Sequence, residues 1–142
     1  MSGLLLGLSW PTHGFTILIF VSFVPLLFLE SLIRKNNLIK IFLFSYLSFF
    51  IWNSITTWWL VYSSFFGMSF AIIVNTLLMA IVFTSYSFIS KKVTTKLSVI
   101  YWMSVWIVFE KFHLNWDFSW PWLNLGNVFS EKILWIQWYD CL

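Results

Sequence analysis

Few side chains in this sequence have the type and spacing for chemistry. Glu110, Lys111 and His113 lie within one helical turn of each other, His13 stands far upstream, and Cys141 is the single cysteine. A thiol becomes a nucleophile when a neighbouring base or cation favours its thiolate. Cys141 lies in the apolar run ILWIQWYDCL with no histidine or lysine beside it, which is the setting of an inert, packed thiol. His113 lacks a second histidine or a cysteine at metal-ligand spacing. No Ser-His-Asp order, phosphate-binding loop or carboxylate pair can be assembled. The chain therefore reads as having no catalytic residue, no metal site and no cofactor of its own.

Glu110 is the group that demands an explanation. It falls about one turn from the end of an apolar run, where an ionisable side chain is costly and turns towards a bundle interior or a cavity. Lys111, His113, an indole N–H or a backbone group of the following loop can each partner it. Anchoring that loop is the preferred role, ahead of direct contact with a substrate.

The elements that position Glu110 follow from composition. Of 142 residues, 61% are hydrophobic, 9% charged and 23% aromatic, and the mean hydropathy is +0.88. Soluble domains carry about 25% charged residues, so lipid rather than water surrounds most of this chain. Disorder is excluded by the same numbers. The net charge of +3 is small and forms no basic patch for nucleic acid. The expectation is an all-α, polytopic membrane bundle of about five spans plus the start of a sixth. They cover residues 1–10 (partial), 13–30, 38–64, 68–90, 97–114 and 133–142 (partial), since a span needs about 20 apolar residues. Phe65-Phe66-Gly67 is expected as a turn. Both ends look clipped.

Charge sets an orientation. Arg34, Lys35 and Lys40 cluster after the second span, and Lys91, Lys92 and Lys96 after the fourth. The positive-inside rule makes loops 31–37 and 91–96 cytoplasmic. Loop 115–132 is then extracytoplasmic. Two faces recur at helical spacing. Ser45, Ser48, Trp52, Thr56, Trp59 and Ser63 form one, read as helix–helix packing. Ser98, Trp102, Trp106, Glu110 and His113 form the other. Asn53 and Asn75 read as interhelical hydrogen-bonding groups.

The loop holds FSWPWLNLGN, residues 118–127. Pro121 restricts its own backbone and that of Trp120. The indoles of Trp120 and Trp122 offer N–H groups at headgroup level, Asn124 and Asn127 can bond turn backbone, and Gly126 permits unusual angles. The expected product is a stiff aromatic shelf on the outer surface.

Residue order carries a resemblance. WIVFEKFHLNWDFSWPWLNLGN resembles the signature region of the membrane domain of apolipoprotein N-acyltransferases, most closely a Bacteroidetes-like branch. Trp106 and Glu110 match a Trp and Glu four residues apart near a helix end. Trp120-Pro121-Trp122-Leu123-Asn124-Leu125-Gly126 matches an aromatic-Pro-Trp-Leu-(Asn/Gln)-x-Gly motif without a gap. GLSWPTHGFTILIFVSFVPLL (7–27), WNSITTWWLVYSSFFG (52–67) and IQWYDCL (136–142) resemble further segments. Where many members have Arg-Gly-Trp, this chain reads His113-Leu114-Asn115-Trp116. The resemblance implies transfer of an acyl chain from a phospholipid to the N-terminal amine of a diacylglyceryl-cysteine lipoprotein, in a bacterial inner membrane. It implies a Glu-Lys-Cys triad in a nitrilase-like domain outside these residues, so that this stretch alone is expected to be inactive. Glu110, His113, Trp120, Pro121, Trp122, Asn124 and Gly126, with Trp58 and Trp59, are then expected to support a lipid and lipoprotein cleft. The alternative is a non-enzymatic scaffold or small transporter subunit, although the inverted halves common in transporters are not seen.

Overall fold

The computed structural model describes residues 1–10, 14–34, 37–118 and 120–137. His13, Lys35, Ser119 and Cys141 lie outside them. The described residues form helices and 3₁₀ turns, with no strand among them. The α-helices are α1 (Ser2–Leu8), α2 (Ile19–Ser22), α3 (Val24–Ile33), α4 (Leu38–Thr57), α5 (Phe65–Ser90) and α6 (Thr95–Asn115). Consecutive long helices pack side by side, α4 on α5 and α5 on α6, while α1 lies against α4.

Among the described residues, three segments are long and apolar enough to cross a membrane: Thr16–Ile33, Leu38–Tyr62 and Phe65–Ser90. The other expected spans, 1–10, 97–114 and 133–142, are not among these three. Helix α1 has seven residues. Helix α6 has 21, enough length, but Lys96, Glu110 and Lys111 raise its polarity. Residues 133–135 form a 3₁₀ turn rather than opening a helix.

Local chemistry explains the boundaries. Asn37 caps α4 by accepting from the N–H groups of Ile39 and Lys40, and Ser64 caps α5 through the Gly67 N–H. Phe65-Phe66-Gly67 is thus the first turn of α5 and not a separate turn. The predicted continuous third span, 38–64, stops as α-helix at Thr57 and tightens into a 3₁₀ turn, Trp58–Tyr62. That turn diverts the expected packing face, so Trp59 and Ser63 are exposed while Ser45 and Trp52 are buried. The second span breaks at Phe23, two residues before Pro25, which has no N–H to donate. The Leu26 N–H instead donates to Ser2 Oγ of α1 at 2.9 Å.

Gly3 and Gly7 make the close approach of α1 possible. A Cβ on Gly3 would strike the Ser48 carbonyl oxygen, and one on Gly7 would press on the Ile55 side chain. This is the small-xxx-small contact of membrane helices. Asn75 Nδ2 donates to Asn53 Oδ1 at 2.7 Å between α5 and α4. Around this bond runs an aromatic core in which Phe23 sits 5.1 Å from Trp102 and 5.5 Å from Trp106, edge to face.

At the end of the bundle where α3 and α5 terminate, Glu30 is 1% exposed. It holds Arg34 through two bonds of 2.8 Å and accepts from Ser87 Oγ at 2.6 Å. Arg34 Nη1 reaches the Ser90 carbonyl at 3.4 Å. The hydrogen bond to Glu30 raises the Arg34 pKa above its usual value. A buried pair broken on one side costs about 3–5 kcal/mol, whereas replacing both partners by apolar residues is close to neutral. Glu30→Ala is expected to lower unfolding stability by about that amount in denaturant titration of the micellar protein. Glu30→Leu combined with Arg34→Leu is expected to recover most of the loss.

Candidate functional site

The site lies at the opposite end, where the last turns of α6 meet residues 116–135. Helix α6 presents Trp106, Glu110 and His113 at spacings of four and three, on one face. Glu110 Oε1 accepts two hydrogen bonds, from Trp106 Nε1 at 3.0 Å and from the Leu125 backbone N–H at 2.8 Å. Of the partners open to it from sequence, it takes an indole and a loop N–H. Among the described residues it pairs with neither Lys111 nor His113.

The loop then folds over this clamp. The Trp120 N–H donates to the His113 carbonyl at 3.2 Å, which turns the chain back on α6. Pro121–Leu123 and Leu125–Phe129 are 3₁₀ turns. Asn127 Nδ2 donates to the Pro121 carbonyl at 2.8 Å and the Trp122 carbonyl at 3.3 Å, binding the two turns together. Leu123 and Val128 are buried beneath them. Thr16 Oγ1 donates to the Val128 carbonyl at 3.5 Å, so the start of the second span is tied to the same loop.

The sequence-selected residues divide into groups. Trp59 and Trp122 meet edge to face at 5.5 Å, joining the end of α4 to the loop. Trp58 packs against Tyr62 at 5.9 Å and shares with Trp59 the lining of a cavity that also includes Trp10 and Gly7. His113 is buried among Phe109, Phe112 and Trp116. Three expectations need correction. Gly126 has no positive φ, and a Cβ there would meet nothing within 4 Å, so its place needs no special angle. Asn124 makes no side-chain hydrogen bond among the described residues; its backbone accepts from the Asn127 N–H at 2.9 Å. The Trp120 indole N–H is buried and has no hydrogen-bond partner among the described residues, rather than being offered to headgroups, and its backbone, φ −135° and ψ 68°, is not fully extended.

Two cavities flank the clamp. One, of about 350 Å³, is lined by Phe23, Trp102, Trp106, Glu110, Leu125 and Gly126. The other, of about 250 Å³, contains Asn75, His113, Trp116 and Trp120 under Phe70 and Phe118. Sequence reasoning did not find the parts played by Phe23, Leu125 and Trp116. The break before Pro25 is a signal for Phe23, whereas a backbone N–H such as that of Leu125 leaves no signature in residue type. Chemically, the arrangement holds an aromatic loop in place and leaves polar groups facing small cavities.

These features define a helical membrane domain with a carboxylate-pinned loop after α6. The chain belongs to the apolipoprotein N-acyltransferase N-terminal domain family, whose profile matches residues 2–142. It is similar to a protein named apolipoprotein N-acyltransferase from Chlorobaculum tepidum, 27% identical over 143 residues, covering 99% of this chain and 26% of that protein. The chain thus spans about a quarter of that relative's length. No solved structure matches.

A hydrogen bond to a charged group contributes about 1.5–3 kcal/mol. Glu110→Ala is therefore expected to open the loop and speed limited trypsin cleavage after Lys132 by about tenfold or more. Glu110→Gln keeps an acceptor oxygen for Leu125 and is expected to fall between wild type and alanine.

Proposed function

We propose that this chain is the membrane platform of an apolipoprotein N-acyltransferase. In this reading the complete protein moves an acyl chain from a phospholipid to the N-terminal amine of a diacylglyceryl-cysteine lipoprotein. The platform holds the outer loop so that lipid and lipoprotein reach the reacting groups in a fixed geometry. The observation that carries the reading is the shared acceptor, Glu110 Oε1, which joins α6 to the Trp-Pro-Trp loop. Family membership supports it. Acyl transfer is sensitive to positioning, because oriented reactants react far faster than free ones. The platform's residues bind and orient; they do not exchange protons or bonds with substrate.

The same reading places the protein in a bacterial inner membrane, with loops 31–37 and 91–96 cytoplasmic and loop 115–132 outside. The bond from Arg34 Nη1 to the Ser90 carbonyl sets Arg34 beside the end of α5, where Lys91 and Lys92 follow, which supports one shared side for these two basic loops.

Two experiments test the reading. In the complete protein, Glu110→Gln and Trp122→Ala are each expected to slow acyl transfer by about tenfold, from the bonds and ring contacts they remove. Their effects are expected to be non-additive because both release one loop. Additive effects, or wild-type rates in both single variants, contradict the platform role. For topology, Lys91→Cys and Glu131→Cys in a Cys141→Ser background are treated with an impermeant thiol reagent on cells whose outer membrane has been permeabilised. Position 131 is expected to label and position 91 to stay protected; the reverse pattern overturns the orientation.

A further inference from the structure

We propose that the end of the bundle where α3 and α5 terminate binds an anionic phospholipid that takes no part in acyl transfer. The chemistry of this surface rests on its own charges; the leaflet it meets, the cytoplasmic one, rests on the orientation proposed above.

Charge is divided unevenly along the molecule. Arg34 follows α3, Lys40 lies in the first turn of α4, Lys91 and Lys92 follow α5, and Lys96 lies in the first turn of α6. The hydrogen bond from Arg34 Nη1 to the Ser90 carbonyl sets the ends of α3 and α5 side by side. Helices α4 and α6 start within a few residues of those ends, so these cations share one end of the bundle. The carboxylate at that end, Glu30, is 1% exposed and already engaged by Arg34 and Ser87. The other described acidic residues, Glu110, Asp117 and Glu131, lie at the opposite end. Lys40, Lys91, Lys92 and Lys96 are exposed, and none forms an ion pair among the described residues. Their charge is left for a partner to balance.

The surroundings of these lysines select a lipid. Exposed apolar side chains lie within a helical turn of each cation in sequence: Leu32 near Arg34, Ile39 beside Lys40, Phe88 before Lys91 and Lys92, and Leu97 beside Lys96. A partner must therefore be anionic at one end and apolar below it. Lys92 Nζ lies 4.2 Å from the centroid of the Phe88 ring, a cation–π contact that holds one ammonium against the helix wall. Lysines at helix ends place their ammonium groups at headgroup level while their stems cover apolar surface, and such basic clusters attract anionic lipid at short range. A zwitterionic lipid brings an ammonium group of its own, which the lysines repel. A phospholipid of net negative charge brings none.

The complete protein in neutral-detergent micelles is titrated by native mass spectrometry with dioleoylphosphatidylglycerol and with dioleoylphosphatidylcholine, which share their chains and differ in net charge. Phosphatidylglycerol is expected to bind about tenfold tighter at low ionic strength, and the difference is expected to vanish above about 0.5 M ammonium acetate. In Lys91→Gln with Lys92→Gln and Lys96→Gln the ratio is expected to fall towards one. Lys40→Gln with Lys96→Gln is expected to reduce it partly and serves if the triple variant fails to fold. Lys111→Gln with Lys132→Gln removes charge at the opposite end and is expected to leave the ratio as in wild type. Equal affinities in wild type overturn the proposal. So does a ratio that survives the triple variant, or one that falls as far when Lys111 and Lys132 are replaced. Displacement of the lipid by an equal concentration of inorganic phosphate would mark a site for a free anion and overturn it too. A phosphatidylglycerol preference without acyl transfer would sink the proposed function and leave this surface standing; transfer without the preference would do the opposite.

Discussion

A carboxylate at the end of an apolar helix must have its hydrogen bonds supplied by protein, because lipid supplies none. Glu110 meets this need with one oxygen, which accepts from Trp106 on its own helix and from the Leu125 N–H in the loop. The loop after α6 depends on that choice. The described residues of 116–135 contain only short 3₁₀ turns as regular structure, which have little intrinsic stability. They gain a defined place by being fastened to a helix at Glu110, to themselves at Asn127, and to the second span at Thr16. Trp122 can meet Trp59, and Leu123 can enter the core, because the loop between them is held.

The far end of the bundle repeats the device with a different carboxylate. Glu30 is more deeply buried than Glu110 and fully engaged, by Arg34 and by the hydroxyls of Ser87 and Ser90. One end is thus closed by an ion pair that satisfies itself. The other is closed by a carboxylate bonded to a loop, beside two cavities. Between them the rings of Phe23, Phe49, Phe83, Trp102 and Trp106 pack edge to face or tilted, with centroids 5.1 to 6.3 Å apart. The two ends thus differ: at one a buried carboxylate is held by side chains of its own and a neighbouring helix, and at the other a carboxylate holds a loop.

Much of this was legible in the sequence. The helical class followed from apolar runs and low charge. The reach of Glu110 to a loop N–H or an indole followed from its distance to the helix end, and the role of Asn53 and Asn75 from their place in apolar runs. What escaped depended on partners distant in the chain. Glu30 looked like the close of a span because Ser87 and Ser90 lie more than fifty residues away. Gly3 and Gly7 were passed over because α1 seemed a mere remnant, although their spacing suits a close helix contact. The tightening at Trp58 leaves no mark in residue type, since Trp58 to Tyr62 is as apolar as the helix before it. Ser64 is an ordinary N-cap, and reading it as one would have placed Phe65-Phe66-Gly67 inside α5.

The central claim is that one carboxylate oxygen orders the loop after α6. Amide hydrogen exchange at Leu125, followed by NMR in wild type and in Glu110→Ala, measures this most directly. The account predicts a protected Leu125 amide in wild type and about 10- to 100-fold faster exchange in the variant, from the loss of a charge-assisted bond. Amides near Asn53 and Asn75 should keep their protection. Equal exchange at Leu125 in the two proteins, or a loss of protection spread evenly through α4 and α5, would contradict it.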